Sequence, residues 1–315
     1  MERMRKMEKQ RTMEILPYLP QNIRKMLSGI VADEWINVEE IRLRCGAPLT
    51  IGVSGESCFV TPTGGVTNYE SDAYKSTEEE VAAAFAAICE NSVYAHLEQI
   101  RQGYITIKGG HRVGICGKAV TDCGEIKTFG EVSSLNFRVA HELIGIADGI
   151  MDYIVKGAEV KSTLIIAPPQ VGKTTLLRDI TRQISDRGFK CGVADDRGEL
   201  AAMYKGMPTN RIGAQTDVID GAPKDMAIEM LLRTMSPKVI ISDEIAAKRD
   251  MDALCLASGT GIKLVASTHG ENIEEVLNRR IMKPVRDDKI FEQAIVLKRD
   301  FTAVDPDIEA RVIPL

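Results

Sequence analysis

The sequence predicts an α/β chain: a mostly parallel sheet covered by helices fills the second half, and a smaller α+β part precedes it. Three observations predict this. With 315 residues the chain is long enough for two domains of ordinary size. After residue 146, short β-rich apolar runs at 163–167, 191–194, 239–242, 263–267 and 294–297 alternate with helical patterns. Such alternation marks crossover units and parallel strands. The first half lacks that rhythm and mixes helical spacing with hairpin signals.

The elements of the first half follow in order. A helix is expected over 15–30, with Leu16, Leu19, Ile23, Leu27 and Ile30 on one broad face and Pro17 and Pro20 delaying its start. In EEIRLRCGAPLTIGV, Ile41, Leu43 and Cys45 alternate with polar neighbours as in a half-buried strand. Residues 77–89 read as an Ala-rich helix, with Thr77 and Glu80 as its capping box. GYITIKGGHRVGICGKAV predicts a hairpin in which 104–107 and 112–116 flank Gly109-Gly110 as a two-residue turn. A strand at 134–139 closes this half. A connecting helix is expected over 146–155, so the domains are expected at 1–145 and 146–315.

Composition narrows the function. Aromatic residues make up 5% of the chain, the net charge is −5, and no basic block stands out. These values argue against a protein built to stack bases or grip phosphate backbones. The seven cysteines are scattered without a CxxC pair, which argues against a zinc site or a disulfide framework and for a reducing cytoplasm. Cys116 and Cys123 are expected to be unlinked core thiols. MERMRKMEKQRTMEILPYL is charged throughout and lacks the apolar core of a signal peptide. The longest apolar stretch, 81–89, is too short to cross a bilayer, so a soluble protein is expected.

The strongest local signal is STLIIAPPQVGKTTLLRDITRQI. A buried strand runs into Ala167, Pro168, Pro169, Gln170, Val171, Gly172, Lys173 and Thr174, which open a helix with Leu176, Leu177, Ile180 and Ile184 inside. This is the order of a phosphate loop. Backbone N–H groups and the helix N-terminus surround the phosphates, and Gly172 lets the backbone approach. Lys173 is expected on the β/γ oxygens, Thr174 on magnesium and Thr175 near the α-phosphate. Ala167 stands where the pattern asks for glycine.

Three further segments belong with that loop. KVIISDEIAAKRD delivers Asp243 and Glu244 at the end of an apolar strand, where open α/β sheets bind ligands. Asp243 is expected to hold magnesium through its water shell, and Glu244 to orient and deprotonate the attacking water. GIKLVASTHG ends in Thr268 and His269, a candidate sensor of the γ-phosphate. CGVADDRGEL is expected to put Asp196 and Glu199 on the same rim. Arg233, just before the Asp243 strand, is a candidate to pair with an acid of its own domain or to reach a neighbour's phosphates. Of Arg112 and Arg138 on the N-terminal strands, one is a candidate to reach the nucleotide across the domain cleft, a surface salt bridge being the alternative.

Together with EEIRLRCGAPL, IRQGYITIKGGHRVGICGKAV, SSLNFRVAHEL, MSPKVIISDEI and ASTHG, these segments resemble the ATPase family of type II and type IV secretion systems, over about residues 39 to 270. The resemblance implies a RecA-like P-loop ATPase domain after an α+β domain. It also implies a homo-oligomeric ring, usually a hexamer, with ATP and Mg2+ held between the two domains. Within this family it points to endospore formation, where such a protein would sit on the mother-cell side of the forespore membrane. There it would energise a secretion-like channel complex without inserting into the bilayer. Carried over by position, Lys173 and Thr174 match the phosphate loop, Asp243 and Glu244 the acids, Glu199 the acidic box and His269 the histidine box. Relatives often carry an arginine soon after the catalytic acid, whereas Ala246 and Ala247 stand here. The alternatives are a RecA- or AAA-type ATPase acting on nucleic acid, which calls for basic pore loops, and a nucleotide-gated assembly scaffold. The absence of NKxD argues against a GTPase, and that of an LSGGQ-like segment against a transporter ATPase.

Overall fold

The computed structural model describes residues 13–30, 38–122, 124–140, 142–169, 171–297 and 310–315. The chain divides into two compact units, Met1–Glu142 and Leu143–Leu315.

The first unit is built on an antiparallel seven-stranded sheet of β1 (Val38–Arg44), β2 (Thr50–Val53), β3 (Glu56–Val60), β4 (Val66–Thr67), β5 (Tyr104–Ile107), β6 (His111–Asp122) and β7 (Glu125–Arg138), in the order β4-β3-β2-β1-β7-β6-β5. One face is apolar. Ile41, Leu43, Val113, Leu135 and Phe137 meet Ile23 and Leu27 from the Gln21–Ser28 helix and Val81, Ala84 and Ile88 from the Glu78–Ile88 helix. Alternate residues therefore face outward, as expected for an antiparallel sheet covered on one side. Pro20 caps the first helix, which starts only at Gln21, and a 3-10 turn at Leu16–Tyr18 takes the place of the expected earlier helical turns. The Thr77/Glu80 capping box is present.

Two expectations are corrected. The pairing of Ile107 with His111 leaves Lys108, Gly109 and Gly110 as a three-residue loop, with Gly109 at φ +88° and Gly110 at φ +72°. β6 and β7 run on well past their neighbours as a two-stranded ribbon, so Cys116 is exposed rather than a core thiol. Cys123 lies outside the described residues.

The second unit carries a sheet of order β14-β11-β15-β16-β10-β17-β18. Its strands are β10 (Thr163–Ala167), β11 (Cys191–Asp195), β14 (Thr216–Asp220), β15 (Val239–Ser242), β16 (Lys263–His269), β17 (Gln293–Leu297) and β18 (Ala310–Pro314). The first six in spatial order are parallel, and β18 is antiparallel to β17. Two short pairs, β8 (Val155–Lys156) with β9 (Glu159–Val160) and β12 (Met203–Tyr204) with β13 (Met207–Pro208), lie outside it.

Both sheet faces are covered. Helices Asp148–Ile154 and Lys173–Asp186 pack one core, and helices Lys224–Thr234, Lys248–Gly259 and Ile273–Asn278 pack the other. That is why β10, β11, β15 and β17 are buried at every position and read as continuous apolar runs. β14 and β18 have no such run, and sequence reading passed over both. No described helix is long and apolar enough to cross a membrane.

Candidate active site

The topology puts β16 between β10 and β15, so the loop after β10 and the acids after β15 flank one strand end. Ala167 is the last residue of β10. It is buried, pairs with His269, and its carbonyl accepts from the Gly270 N–H at 3.1 Å. A strand position of this kind accommodates alanine. Pro168, Pro169 and Val171 lead to Gly172, which caps the Lys173–Asp186 helix at φ +82°. A Cβ on Gly172 meets nothing within 4 Å, so the left-handed backbone is what requires glycine. Gln170 lies outside the described residues.

Lys173 opens this helix and is nearly buried, with Nζ 3.1 Å from His269 Nδ1. Burial pushes its ammonium below the ordinary lysine value and Arg197 adds to this, while Asp243, Glu244 and Glu199 oppose it. Thr174 Oγ1 donates to Asp243 Oδ2 at 2.7 Å, and Thr175 beside it is half-buried. The Thr174 hydroxyl and the Asp243 carboxylate are hard oxygen donors. Among the described residues no group of three or more His, Cys, Asp or Glu forms a closed metal cage. Two protein oxygens completed by phosphate and water are what magnesium prefers, so this pair fits that ion.

Glu244 has φ +44°, an uncommon conformation for a residue with a side chain, and its neighbours hold it there. Its N–H donates to Ser267 Oγ at 3.0 Å, and its carbonyl accepts from Lys224 Nζ at 2.8 Å. Its carboxylate accepts from Arg197 Nη1 at 2.8 Å on Oε2, and Oε1 lies 3.3 Å from His269 Nε2. Ser267, fully buried, also donates to Asp243 Oδ1 at 2.5 Å. The parallel register explains this: Ser242 pairs with Ala266, so the next residues, Asp243 and Ser267, come together.

The acidic segment is anchored from below. Asp195 ends β11, and its buried carboxylate accepts the N–H groups of Glu199, Leu200 and Ala201 at 2.8–3.0 Å. Burial raises its pKa, and those three N–H groups partly offset the rise. Arg178 donates to the Glu199 and Leu200 carbonyls at 2.7 and 3.1 Å. Beside the loop, a cleft of about 510 Å³ is lined by Pro168, Pro169, His269, Gly270, Asn272 and Arg279, among others.

The structure thus gathers Lys173, Thr174, Asp243, Glu244 and His269, and it brings the Glu199 carboxylate near enough to act on Lys173. It does not bring Arg233. Helix Lys224–Thr234 approaches the site at Lys224, and Arg233 lies nine residues on, about 13 Å along the axis, exposed and donating to its own helix. Sequence reading missed Arg197, Lys224 and Ser267. Arg197 stands in the ADDRGEL segment and Ser267 beside Thr268, so both were within reach. Lys224, at an ordinary helix start, had no signal.

Arg112 and Arg138 lie on the outward face of the first unit's sheet, directly opposite each other across β6 and β7. Like charges in that position disfavour the fold. Glu40 pairs with Arg138 across β1 and β7. Its carboxyl is held below the ordinary value, first by Arg42 and less by Arg138. The Arg112 guanidinium sits 4.9 Å from the Tyr104 ring centroid.

Comparison with known proteins adds the lineage. The family described as Sporulation stage III, protein AA matches residues 7–305. Stage III sporulation protein AA of Bacillus subtilis (strain 168) is 34% identical over 292 residues, covering 91% of each chain. Among solved structures, the Legionella pneumophila ATPase DotB aligns with a TM-score of 0.56 at 17% identity, over 88% of this chain and 75% of that one. The pilus retraction motor PilT, solved with bound ADP, aligns with a TM-score of 0.57 at 14% identity, over 83% and 74%. Both share the fold of this chain.

Proposed function

The chain belongs to the family described as Sporulation stage III, protein AA, and on that premise we propose that it is a magnesium-dependent ATPase serving a membrane-bound channel complex of endospore formation. One observation carries this reading. Lys173, Thr174, Asp243, Glu244 and His269 meet at the carboxyl ends of three adjacent parallel strands. No structural role needs an ammonium, a helix N-terminus and two acids at one point, whereas a triphosphate and its hydrolysis do.

The roles follow from the chemistry. The phosphate-loop N–H groups and Lys173 bind the β- and γ-phosphates. Thr174 and Asp243 would hold magnesium, which when bound neutralises phosphate charge. Glu244 accepts the proton of the attacking water. His269, between Lys173 and Glu244, senses whether the γ-phosphate is there. Arg112 and Arg138 are candidates for a second source of positive charge, from the same or another copy. The ring, taken as a hexamer, is part of the proposal, as is attachment on the mother-cell side through the channel proteins.

Steady-state ATP hydrolysis measured together with oligomer mass, with and without nucleotide, tests the reading. Turnover in the wild type, its loss in Glu244→Gln with ATP still bound, and loss of ATP binding in Lys173→Ala are expected. A folded Lys173→Ala protein with unchanged affinity for ATP overturns it.

A further inference from the structure

Arg197 has an exposed side chain, 59% accessible, yet its guanidinium is not spent on solvent. Nη1 donates to Glu244 Oε2 at 2.8 Å. The loop itself does not depend on this contact. Asp195 ties it through three N–H groups and Arg178 through two carbonyls. An exposed guanidinium on an anchored loop thus stands beside the catalytic carboxylate.

The other cations around the site have structural tasks. Arg178 holds the loop carbonyls, Arg279 donates to the His269 carbonyl at 2.6 Å and to Glu275, and Lys224 holds the Glu244 carbonyl. The turn after Glu244 offers Ala246 and Ala247 and no cation. Glu244, for its part, has one oxygen facing Arg197 and the other facing His269. With a guanidinium N–H on one oxygen and the imidazole beside the other, neither oxygen stands open to an attacking water until one partner moves away.

We propose that Arg197 is the second unit's own catalytic cation: it exchanges Glu244 for the γ-phosphoryl oxygens when ATP binds, which frees the base and neutralises the reacting group. The inference rests on the ATPase reading above. A guanidinium is always protonated and matches phosphate oxygens in a two-pronged contact. In the step itself, the water oxygen forms a bond to the γ-phosphorus and its proton passes to Glu244. The bond from the γ-phosphorus to the β–γ bridging oxygen breaks, its electron pair leaves with ADP, and inorganic phosphate is the second product. Charge on the equatorial oxygens is what Arg197 meets.

The test uses the full chain with Arg197→Ala and Arg197→Lys. Four quantities are read: kcat, KM for ATP, affinity for ADP, and affinity for ADP with fluoroaluminate, which resembles the transferring phosphoryl group. For Arg197→Ala the expected result is a kcat lower by about 100-fold or more, with KM changed by no more than about 3-fold. ADP binding stays at the wild-type level, and binding of ADP with fluoroaluminate weakens by about 100-fold. Arg197→Lys restores part of both losses. Wild-type or faster turnover in Arg197→Ala, or an unchanged affinity for ADP with fluoroaluminate, overturns the inference alone. A wild-type protein that neither binds nor hydrolyses ATP overturns it together with the function on which it rests.

Discussion

Thr174 Oγ1 donates a hydrogen bond to Asp243 Oδ2 at 2.7 Å, joining the start of the Lys173–Asp186 helix, which follows β10, to the end of β15, two places from β10 in the sheet. This link exists because β16 is the only strand separating β10 from β15. It puts a hydroxyl and a carboxylate at one point beside the helix N-terminus.

The first prediction concerns this pair. Asp243→Asn replaces one carboxylate oxygen by an NH2 group and removes the negative charge that attracts a divalent cation. ATP affinity measured without magnesium is expected to stay within about 2-fold of wild type, while the gain on adding magnesium falls by about 10-fold or more. Calorimetric titration with and without the ion decides it. An undiminished magnesium gain in Asp243→Asn removes the ion from this site.

Ser267→Ala is the second. It takes one donor from Asp243 and leaves the Glu244 N–H without its acceptor. Unmet buried groups cost about 1–3 kcal/mol each, and Glu244 loses one of the two contacts that hold its backbone at φ +44°, the Lys224 bond remaining. Turnover is expected to fall about 10-fold or more with ADP affinity near wild type, and the melting temperature to drop by several degrees. Wild-type turnover in this variant means that Ser267 does not position the acids.

The third contrasts arginines. Arg112→Ala and Arg138→Ala each relieve a like-charge pairing across β6 and β7, so the fold is expected to tolerate them. If they serve the triphosphate, turnover falls more than ATP affinity does. Arg233→Ala, far along its helix from Lys224, is expected to leave turnover unchanged. A loss in Arg233→Ala equal to that in Arg112→Ala and Arg138→Ala denies those two a special role.

Much of this protein was legible because short-range patterns encode it. Apolar runs buried on two faces announced the parallel strands, and STLIIAPPQVGKTTLL announced a buried strand, a left-handed glycine and a helix that opens at once on Lys173. The acids Asp243 and Glu244 were readable from the apolar strand that delivers them. What stayed hidden depends on which strands become neighbours. Register alone brings Ser267 to Asp243, helix direction alone turns Lys224 inward and Arg233 away, and Arg197 meets Glu244 from 47 residues earlier in the chain. A side chain's partner across a sheet is set by pairing order and twist, which leave no mark on the residues between. The sequence by itself therefore determined the chemistry available to the site, and the tertiary structure decided which charged groups share it.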